Sequence, residues 1–179
     1  MDILVIVAHP DDEVLGCGAS IAKWSREGIN VHVLILAEGS TSRGSERNRD
    51  LNINELSLLA KAAKNSAVIL GISSLNLHDF PDNRMDSVDR LDVIKIIEKH
   101  ILQIKPSIVV THHHSDVNID HRIVCDSVIT ACRPQPNFPV KRLLSFETNS
   151  STEWQIAGNN RSFHPNWYED VTDTLKFKI

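Results

Sequence analysis

The sequence predicts an α/β fold, a Rossmann-like three-layer sandwich whose mainly parallel sheet has the strand order 3-2-1-4-5. Five strand-like runs alternate with four stretches of helical apolar spacing along the 179 residues. The first two runs are apolar and rich in Val and Ile, which is typical of strands buried on both faces of a parallel sheet. Alternation of strand and helix implies right-handed crossovers. The stated order is the most economical one, and it makes strands 1 and 4 neighbours at the switch point.

The individual elements are predicted from apolar runs and from the residues that end them. Strands are predicted at residues 3–8, 30–37, 74–78, 107–111 and 141–147. Helices are predicted at residues 14–28, 51–70, 88–104 and 120–132. Gly28 ends the first helix and Gly71 follows the second, since glycine readily adopts the left-handed conformation of a C-cap. The small residues Gly16 and Gly18 are expected to let the first helix pack closely on the sheet.

The C-terminal stretch has no convincing periodicity. It carries four aromatic residues, and residues 171–179 begin as a helix that stops with the sequence. The aromatic residues are Trp154, Phe163, Trp167 and Tyr168. These features indicate a chain cut before its natural end. The length is that of one domain, so we expect residues 1–179 to form a single domain truncated at its C-terminus.

Composition and charge narrow the functional class. Charged residues make up 23% and hydrophobic residues 41% of the chain, as in an ordinary folded protein. The net charge of −4 argues against nucleic acid as a partner, because nucleic-acid-binding domains usually carry a basic surplus. No apolar run has the length of a membrane span, and no signal peptide precedes the first strand. Three scattered cysteines without a CxxC spacing suggest reduced thiols and a cytoplasmic location.

The turn after the first strand concentrates groups that bind metals and move protons. It reads Ala8-His9-Pro10-Asp11-Asp12-Glu13. Ligands in open α/β sheets gather outside the carboxyl ends of the strands, which is where this turn lies. His9 and Asp12 offer one nitrogen and one oxygen ligand, which suits a zinc ion that takes a third ligand from elsewhere. The plainer interpretation is a helix start, since proline and acidic residues both favour a first turn.

A second cluster follows the fourth predicted strand. It spans residues 111–121 and contains His112, His113, His114, Asp116, Asn118, Asp120 and His121. Two strands that both end in metal-binding residue types are difficult to explain by helix capping alone. The predicted strand order brings the two clusters together at one edge of the sheet. Consecutive side chains of a strand point apart, so we expect at most one of His112, His113 and His114 to line the pocket.

Two further loops are predicted at the same edge of the sheet. Residues 38–50 form a long polar loop with Arg43, Arg47 and Arg49, and residues 79–86 form a turn that contains Arg84. Long polar loops are often binding loops. The alternative is that their arginines face solvent and contact nothing.

Taken together, the two clusters resemble the LmbE-like family of zinc-dependent N-deacetylases, also called the PIG-L family. The turn from Ala8 to Glu13 matches the hallmark of that family. The segment Asn118-Ile119-Asp120-His121 is similar to its later His-X-Asp-His motif. The resemblance extends to about Phe146 and covers most of the chain. It implies a Rossmann-like fold and removal of an acetyl group from an N-acetylated amino sugar or sugar conjugate.

The resemblance also implies roles for individual residues. His9, Asp12 and His121 would hold Zn²⁺, Asp11 would be the general base, and Asp120 a supporting aspartate. The nucleophile would be a zinc-bound water. Asn118 stands where many members have the histidine that stabilises the oxyanion. An asparagine amide can donate to developing negative charge, and His112, His113 or His114 are alternative donors.

Substrate contacts are assigned to Arg43, Arg84 and His113, and the expected partner is a small N-acetylated sugar or its conjugate. Relatives often self-associate, so a homo-oligomer is also expected. A competing hypothesis is a Rossmann-like nucleotide or sugar-nucleotide binding module without hydrolase activity, although the sequence has no glycine-rich phosphate loop. A third hypothesis is a truncated chain that keeps fold and metal but lacks part of its pocket.

Overall fold

The computed structural model describes residues 1–149, 151–155 and 162–179. Five strands form one sheet in the order β3-β2-β1-β4-β5, and every neighbouring pair is parallel. The strands are β1 (Asp2–Val7), β2 (Asn30–Ala37), β3 (Ser74–Phe80), β4 (Ile108–His112) and β5 (Arg142–Phe146). The predicted fold class and strand order are confirmed.

Four α-helices connect the strands, in the places that the sequence predicts. They are α1 (Asp12–Arg26), α2 (Ile53–Leu70), α3 (Arg90–Ile104) and α4 (Ile119–Ala131). Helix α2 ends at Gly71, whose φ of 74° is the left-handed conformation expected of a glycine C-cap. No helix in the described part of the chain is both long and apolar enough to cross a membrane.

Residues of β1 divide the core into two layers, because successive side chains of a strand point to opposite faces. Leu4 and Ile6 belong to the apolar cluster that includes buried residues of α3 and α4. Ile3, Val5 and Val7 belong to the cluster that includes buried residues of α1 and α2. The sheet is therefore covered on both faces, which explains why β1 is apolar at consecutive positions.

Helix α1 approaches the sheet closely at Gly16. A Cβ atom built at this position would lie 2.3 Å from Cδ2 of Phe146, which is the last residue of β5. No side chain larger than a hydrogen atom fits there without displacing the ring. The expectation that small residues allow close helix packing is confirmed at Gly16, whereas a Cβ at Gly18 would make only ordinary contacts, the nearest at 3.4 Å.

Two predictions about local structure are wrong. Strand β3 continues to Phe80, which pairs with Ala37 of β2, so Asp79 and Phe80 belong to the strand instead of beginning the turn. Residues 171–179 do not start an α-helix and contain only the 3-10 turn Leu175–Phe177. Thr174 ties this segment to α1, because its hydroxyl donates to the carbonyl of Ala19 at 2.8 Å. Contacts with α1 therefore decide its course in place of intrinsic helix propensity.

Strands β1 and β4 are adjacent, and this adjacency assembles the site. Val5 is in register with Val110, so the chain leaves both strands at the same edge of the sheet. The first contact beyond the strands is a hydrogen bond of 3.0 Å from the backbone N–H of Ala8 to Nε2 of His112. The two histidine- and aspartate-rich segments face each other from this point onward.

Candidate metal centre

The turn after β1 is a tight, strained structure. The backbone N–H of His9 donates to Oδ2 of Asp12 at 2.8 Å, and the N–H of Asp12 is 3.3 Å from the carbonyl oxygen of His9. Asp11 lies between them with a φ of 136°, a backbone conformation that residues other than glycine rarely adopt. Such strain persists only where surrounding contacts enforce it, and it is concentrated at functional sites. The turn thus fixes His9 and Asp12 side by side while Asp11 stays exposed.

The segment after β4 is organised by Asn118. Its Oδ1 accepts from the backbone N–H groups of Asp120 and His121 at 2.9 and 3.4 Å, which makes Asn118 the N-cap of α4. The backbone N–H of Asn118 itself donates to Oδ1 of Asp116 at 2.9 Å. The first turn of α4 therefore delivers Asp120 and His121 to the site from a rigid helix end.

His9, Asp12 and His121 meet in a geometry that fits a metal ion. Oδ2 of Asp12 is 3.4 Å from Nδ1 of His9, and Oδ1 of Asp12 is 3.3 Å from Nε2 of His121. Two ligands on a tetrahedral zinc ion with bonds of about 2.0–2.1 Å lie roughly 3.3 Å apart. The donor set of two imidazoles and one carboxylate is one that zinc accepts, and it leaves a fourth position open.

The outer nitrogens of both histidines face carboxylates. Nε2 of His9 is 3.0 Å from Oδ2 of Asp120 and 3.2 Å from Oδ1 of Asp82. Nδ1 of His121 is 3.0 Å from Oδ2 of Asp116, which is an ion-pair distance. A metal-binding histidine almost always has such a partner on its other nitrogen, which fixes its tautomer and its orientation.

In the described part of the chain, two other groups of residues have metal-binding spacing, namely His112 with Asp116 and His121, and His9 with Asp82 and Asp120. Both use the carboxylates that support the histidines of the first group. Only the set of His9, Asp12 and His121 lines the pocket in full and leaves each histidine with a carboxylate partner. We therefore favour that set as the candidate metal centre.

At the centre, two histidines with raised pKa values lie against an aspartate with a lowered pKa. Burial opposes protonation of His9, but Asp12, Asp120 and Asp82 outweigh it and raise its pKa to about 12. The pKa of His121 is raised to about 9, because Asp116 and Asp12 likewise outweigh burial. Burial alone would raise the pKa of Asp12, yet the surrounding histidines hold it well below its usual range. The chain thus holds positive charge where a cation would sit.

Asp11 differs from Asp12 in its surroundings. Its side chain has no hydrogen bond to any residue in the described part of the chain, and it lines the same pocket as His9 and His121. Partial burial and the neighbouring charge of Asp12 raise the pKa of Asp11 to about 6. A carboxyl group with a pKa near neutrality can both accept and return a proton. The two adjacent aspartates are therefore suited to different tasks.

Three further residues support the centre; the sequence predicts His112 only as one of three alternative oxyanion donors and assigns no role to Asp116 and Asp82. His112 is fully buried and stacks on His121 with ring centroids 3.9 Å apart, and its Nε2 is 3.4 Å from Asp12. Asp116 accepts from the hydroxyl groups of Ser151 and Thr152 at 2.8 and 2.9 Å. Asp82 accepts from the backbone N–H of Ser42 at 3.0 Å. Their only signal in the sequence is their position at a strand end, since His112 is the last residue of β4, Asp116 follows β4 and Asp82 follows β3.

The structure separates the arginines of the two loops. Arg43 lines the metal pocket, and its guanidinium group pairs with no residue in the described ranges. Arg84 instead donates to the carbonyl oxygen of Ser45 at 3.1 Å and does not line the pocket. Arg47 and Arg49 both bind the buried carboxylate of Glu38, at 2.8 and 3.0 Å. Three of the four arginines thus shape the loops, and Arg43 alone among them faces the centre.

Asn118 and His113, which the sequence predicts as site residues, lie at different distances from the centre. Asn118 lines the pocket, and its Nδ2 donates to Oδ1 of Asn83 at 3.0 Å. The ring of His113 does not line the metal pocket and packs edge-on against Phe163, with centroids 5.2 Å apart. His113 also pairs with Ser115, whose hydroxyl is 2.7 Å from Nδ1. The structure brings Asn118 to the site and leaves His113 beside a separate surface.

Comparison with known proteins places the chain among deacetylases. A family model described as GlcNAc-PI de-N-acetylase (PIG-L) matches residues 4–132. The uncharacterized deacetylase YaiS of Escherichia coli K12 is 30% identical, over 96% of this chain and 82% of its own length. The diacetylchitobiose deacetylase of Thermococcus kodakarensis is 28% identical, over 99% of this chain and 66% of its own length.

Solved structures share the fold across nearly the whole chain. N,N′-diacetylchitobiose deacetylase from Pyrococcus horikoshii has a TM-score of 0.74 at 22% identity, covering 99% of this chain and 66% of that one. GalB, the 4-carboxy-2-hydroxymuconate hydratase from Pseudomonas putida KT2440, has a TM-score of 0.72 at 19% identity, covering 99% of this chain and 75% of that one. Since one of these proteins is a deacetylase and the other a hydratase, the fold alone does not select the reaction.

Proposed function

Because the chain belongs to the GlcNAc-PI de-N-acetylase (PIG-L) family, we propose that it is a zinc-dependent hydrolase that removes the acetyl group from an N-acetylated amino sugar or sugar conjugate. One observation carries the proposal beyond family membership. His9, Asp12 and His121 converge in a pocket that is also lined by Asp11, whose carboxylate is unpaired within residues 1–149, 151–155 and 162–179. Amide hydrolysis requires this combination of a site for a Lewis acid and an adjacent acid–base group.

The proposed roles divide the work among neighbouring residues. A zinc ion held by His9, Asp12 and His121 would supply a Lewis acid for the acetamide carbonyl and would acidify a water molecule. Asp11 accepts the proton of the attacking water and then donates it to the departing nitrogen. A pKa of about 6 for Asp11 suits both steps near neutral pH.

Asn118 is the proposed donor to the oxyanion. Its Oδ1 is committed to capping α4, and one hydrogen of Nδ2 binds Asn83. The second hydrogen of that amide group has no partner among the described residues and belongs to a side chain that lines the pocket. A donor fixed in this way costs no reorganisation when negative charge develops on the carbonyl oxygen.

The pocket also supports a proposal about the rest of the substrate. Arg43 lies on its wall and has no carboxylate partner among the residues that the structure describes, whereas Arg47 and Arg49 are paired with Glu38. A guanidinium group suits bidentate recognition of a phosphate or carboxylate. We assign to Arg43 a contact with an anionic group of the substrate.

The proposed function is tested by measuring acetate release from a panel of N-acetylated sugars and sugar nucleotides, together with bound zinc. We expect stoichiometric zinc and acetate release, and Asp11→Asn should keep both zinc and fold while losing about 10²–10⁴-fold in rate. Asp50→Asn, a change at an exposed loop aspartate, is the matched control. Full activity of Asp11→Asn would exclude Asp11 as the base, and a chain without zinc or acetate release would favour a binding module.

A further inference from the structure

A shallow groove adjoins the metal pocket on the side of α2. The groove has a volume of about 290 Å³ and is lined by Ser40, Arg43, Glu55, Leu58, Leu59 and Ala62. Ser40, Arg43 and Leu59 also line the metal pocket, whose volume is about 350 Å³. The two spaces therefore adjoin along these three residues, and a substituent of a molecule bound at the centre can reach the groove past them.

One stripe of α2 forms the floor of this groove. Glu55, Leu58, Leu59 and Ala62 are spaced i, i+3, i+4 and i+7, so their side chains lie on a single face of the helix. Leu58 is 66% exposed although it sits beside a candidate active site. Covering such a side chain releases apolar surface from water and is favourable for any ligand that does so.

The boundary between the two spaces is partly apolar, because Leu59 lines both of them together with Ser40 and Arg43. Gly39 has a φ of 70°, and a Cβ atom built on it would lie 3.2 Å from Pro10 and 3.4 Å from Leu59. Pro10 and Gly39 line the metal pocket and Leu59 lines both spaces, so the three residues form an apolar wall that leads up to the α2 groove.

We propose that the substrate is an amino sugar that carries an apolar aglycone, and that this aglycone lies in the α2 groove against Leu58 and Leu59. The inference rests on the proposed function, because the sugar end must lie at the metal centre. The lining residues shared with the metal pocket favour a substituent of the substrate as the occupant over an independent protein partner. The size of the groove suits a short alkyl or aryl group.

The test compares the methyl and hexyl glycosides of N-acetylglucosamine as substrates. The hexyl glycoside should have the higher kcat/KM, since each added methylene that leaves water contributes to binding. Leu58→Gln should lower the ratio of the two kcat/KM values by roughly tenfold, which is the usual effect of losing a few methylene contacts. Val68→Gln is the control, because Val68 is an 82% exposed residue of the same helix that does not line the groove.

A second measurement does not depend on catalysis. Hexyl glucoside, which has no acetamide group, should bind more tightly than methyl glucoside, and Leu58→Gln should remove the difference. Equal binding of the two glucosides, or an unchanged ratio in Leu58→Gln, would overturn the inference while leaving the proposed function intact. Failure to hydrolyse either N-acetylated compound, with alkyl-dependent binding retained, would count against the proposed function alone. A fall in oligomeric mass on Leu58→Gln without any alkyl preference would show that a second copy of the chain covers the groove, and the inference would be wrong.

Discussion

Nε2 of His9 lies 3.0 Å from Oδ2 of Asp120, although the two residues are 111 positions apart in the sequence. Asp120 is itself fixed, since it accepts from the backbone N–H groups of Asn83 at 2.6 Å and Met85 at 3.0 Å. The carboxylate thereby ties the loop after β1, the loop after β3 and the start of α4 to one point. It holds the imidazole of His9 with its other nitrogen toward Asp12 and His121.

Asp120→Asn should weaken metal binding. Both carboxylate oxygens of Asp120 face N–H donors, from the backbone of Asn83 and Met85 and from the ring of His9. An asparagine puts an NH₂ group in place of one of these oxygens, and because a donor cannot accept, at least one of the contacts is lost. We expect the dissociation constant for zinc to rise about 10–100-fold, as for other partners of metal-binding histidines. The measurement is a competitive titration against a chelator. Asp126→Asn, at an exposed position of the same helix, should bind zinc as the unaltered chain does; equal affinity of the two variants would refute the role of Asp120.

His121→Ala should abolish stoichiometric zinc. The change reduces the candidate ligand set from three residues to two, and only the turn after β1 still contributes. Metal content after dialysis is the measurement, and circular dichroism checks that the variant is folded. His114→Ala is the control, because His114 is exposed and lies outside the pocket. Full zinc occupancy in His121→Ala would show that another group of ligands holds the metal.

Zinc binding should release protons and strengthen as the pH rises. The pKa values of His9 and His121, about 12 and about 9, mean that both imidazoles are protonated in the metal-free chain at pH 7, whereas a metal ligand must be neutral. The apparent association constant should rise about tenfold per pH unit for each proton displaced. Calorimetric titration at one pH in buffers of different ionisation enthalpy counts the released protons. Binding without proton release would contradict the assignment.

The raised pKa of His121 also predicts how the stability of the metal-free chain depends on pH. The pKa of His121 is raised from 6.5 in the unfolded chain to about 9. Its contribution to the free energy of unfolding is therefore complete below pH 6.5 and is lost as the pH rises through about 9. Urea unfolding of the metal-free chain between these pH values measures the effect, with the zinc-loaded chain as the comparison.

Arg43→Ala should reduce kcat/KM for a substrate that carries a phosphate or carboxylate. Because one charge-assisted contact is lost, we expect kcat/KM to decrease by about 10–100-fold. Arg84→Ala removes a bond to the carbonyl of Ser45 and should have the smaller effect. Steady-state kinetics on an anionic and a neutral N-acetylated sugar make the comparison, since only the anionic one should respond to Arg43. If alanine at both positions left kcat/KM unchanged, the assignment of an anionic contact would be wrong.

Gly16→Ala should destabilise the fold. The added methyl group would lie 2.3 Å from the ring of Phe146, which is buried between α1 and the sheet and cannot move aside freely. Overpacking of this kind costs about 1–3 kcal/mol in the free energy of unfolding, more than the roughly 1 kcal/mol that alanine gains over glycine in a helix. Gly18→Ala is the matched control, since its nearest contact is 3.4 Å. Equal denaturation midpoints for the two variants would contradict the packing argument.

The sequence by itself determined the fold class and the strand order. Continuous apolar runs such as β1 are stable only between two layers of helices, and right-handed crossovers then leave few possible orders for five strands. It also determined that the turn after β1 and the segment after β4 share one edge of the sheet. Local periodicity failed at residues 171–179, where contact with α1 replaces helix propensity.

Only the tertiary structure decided which side chains pair across the site. The sequence shows Asp82, Asp116 and Asp120, but the residues that pair with them come from segments up to 111 residues away. Similarly, nothing local distinguishes Arg43 from Arg47 and Arg49, because the difference is made by the buried carboxylate of Glu38. Short-range patterns record whether a residue is buried, whereas the partner of a charged side chain depends on which distant segments the packed sheet brings within about 3 Å of it.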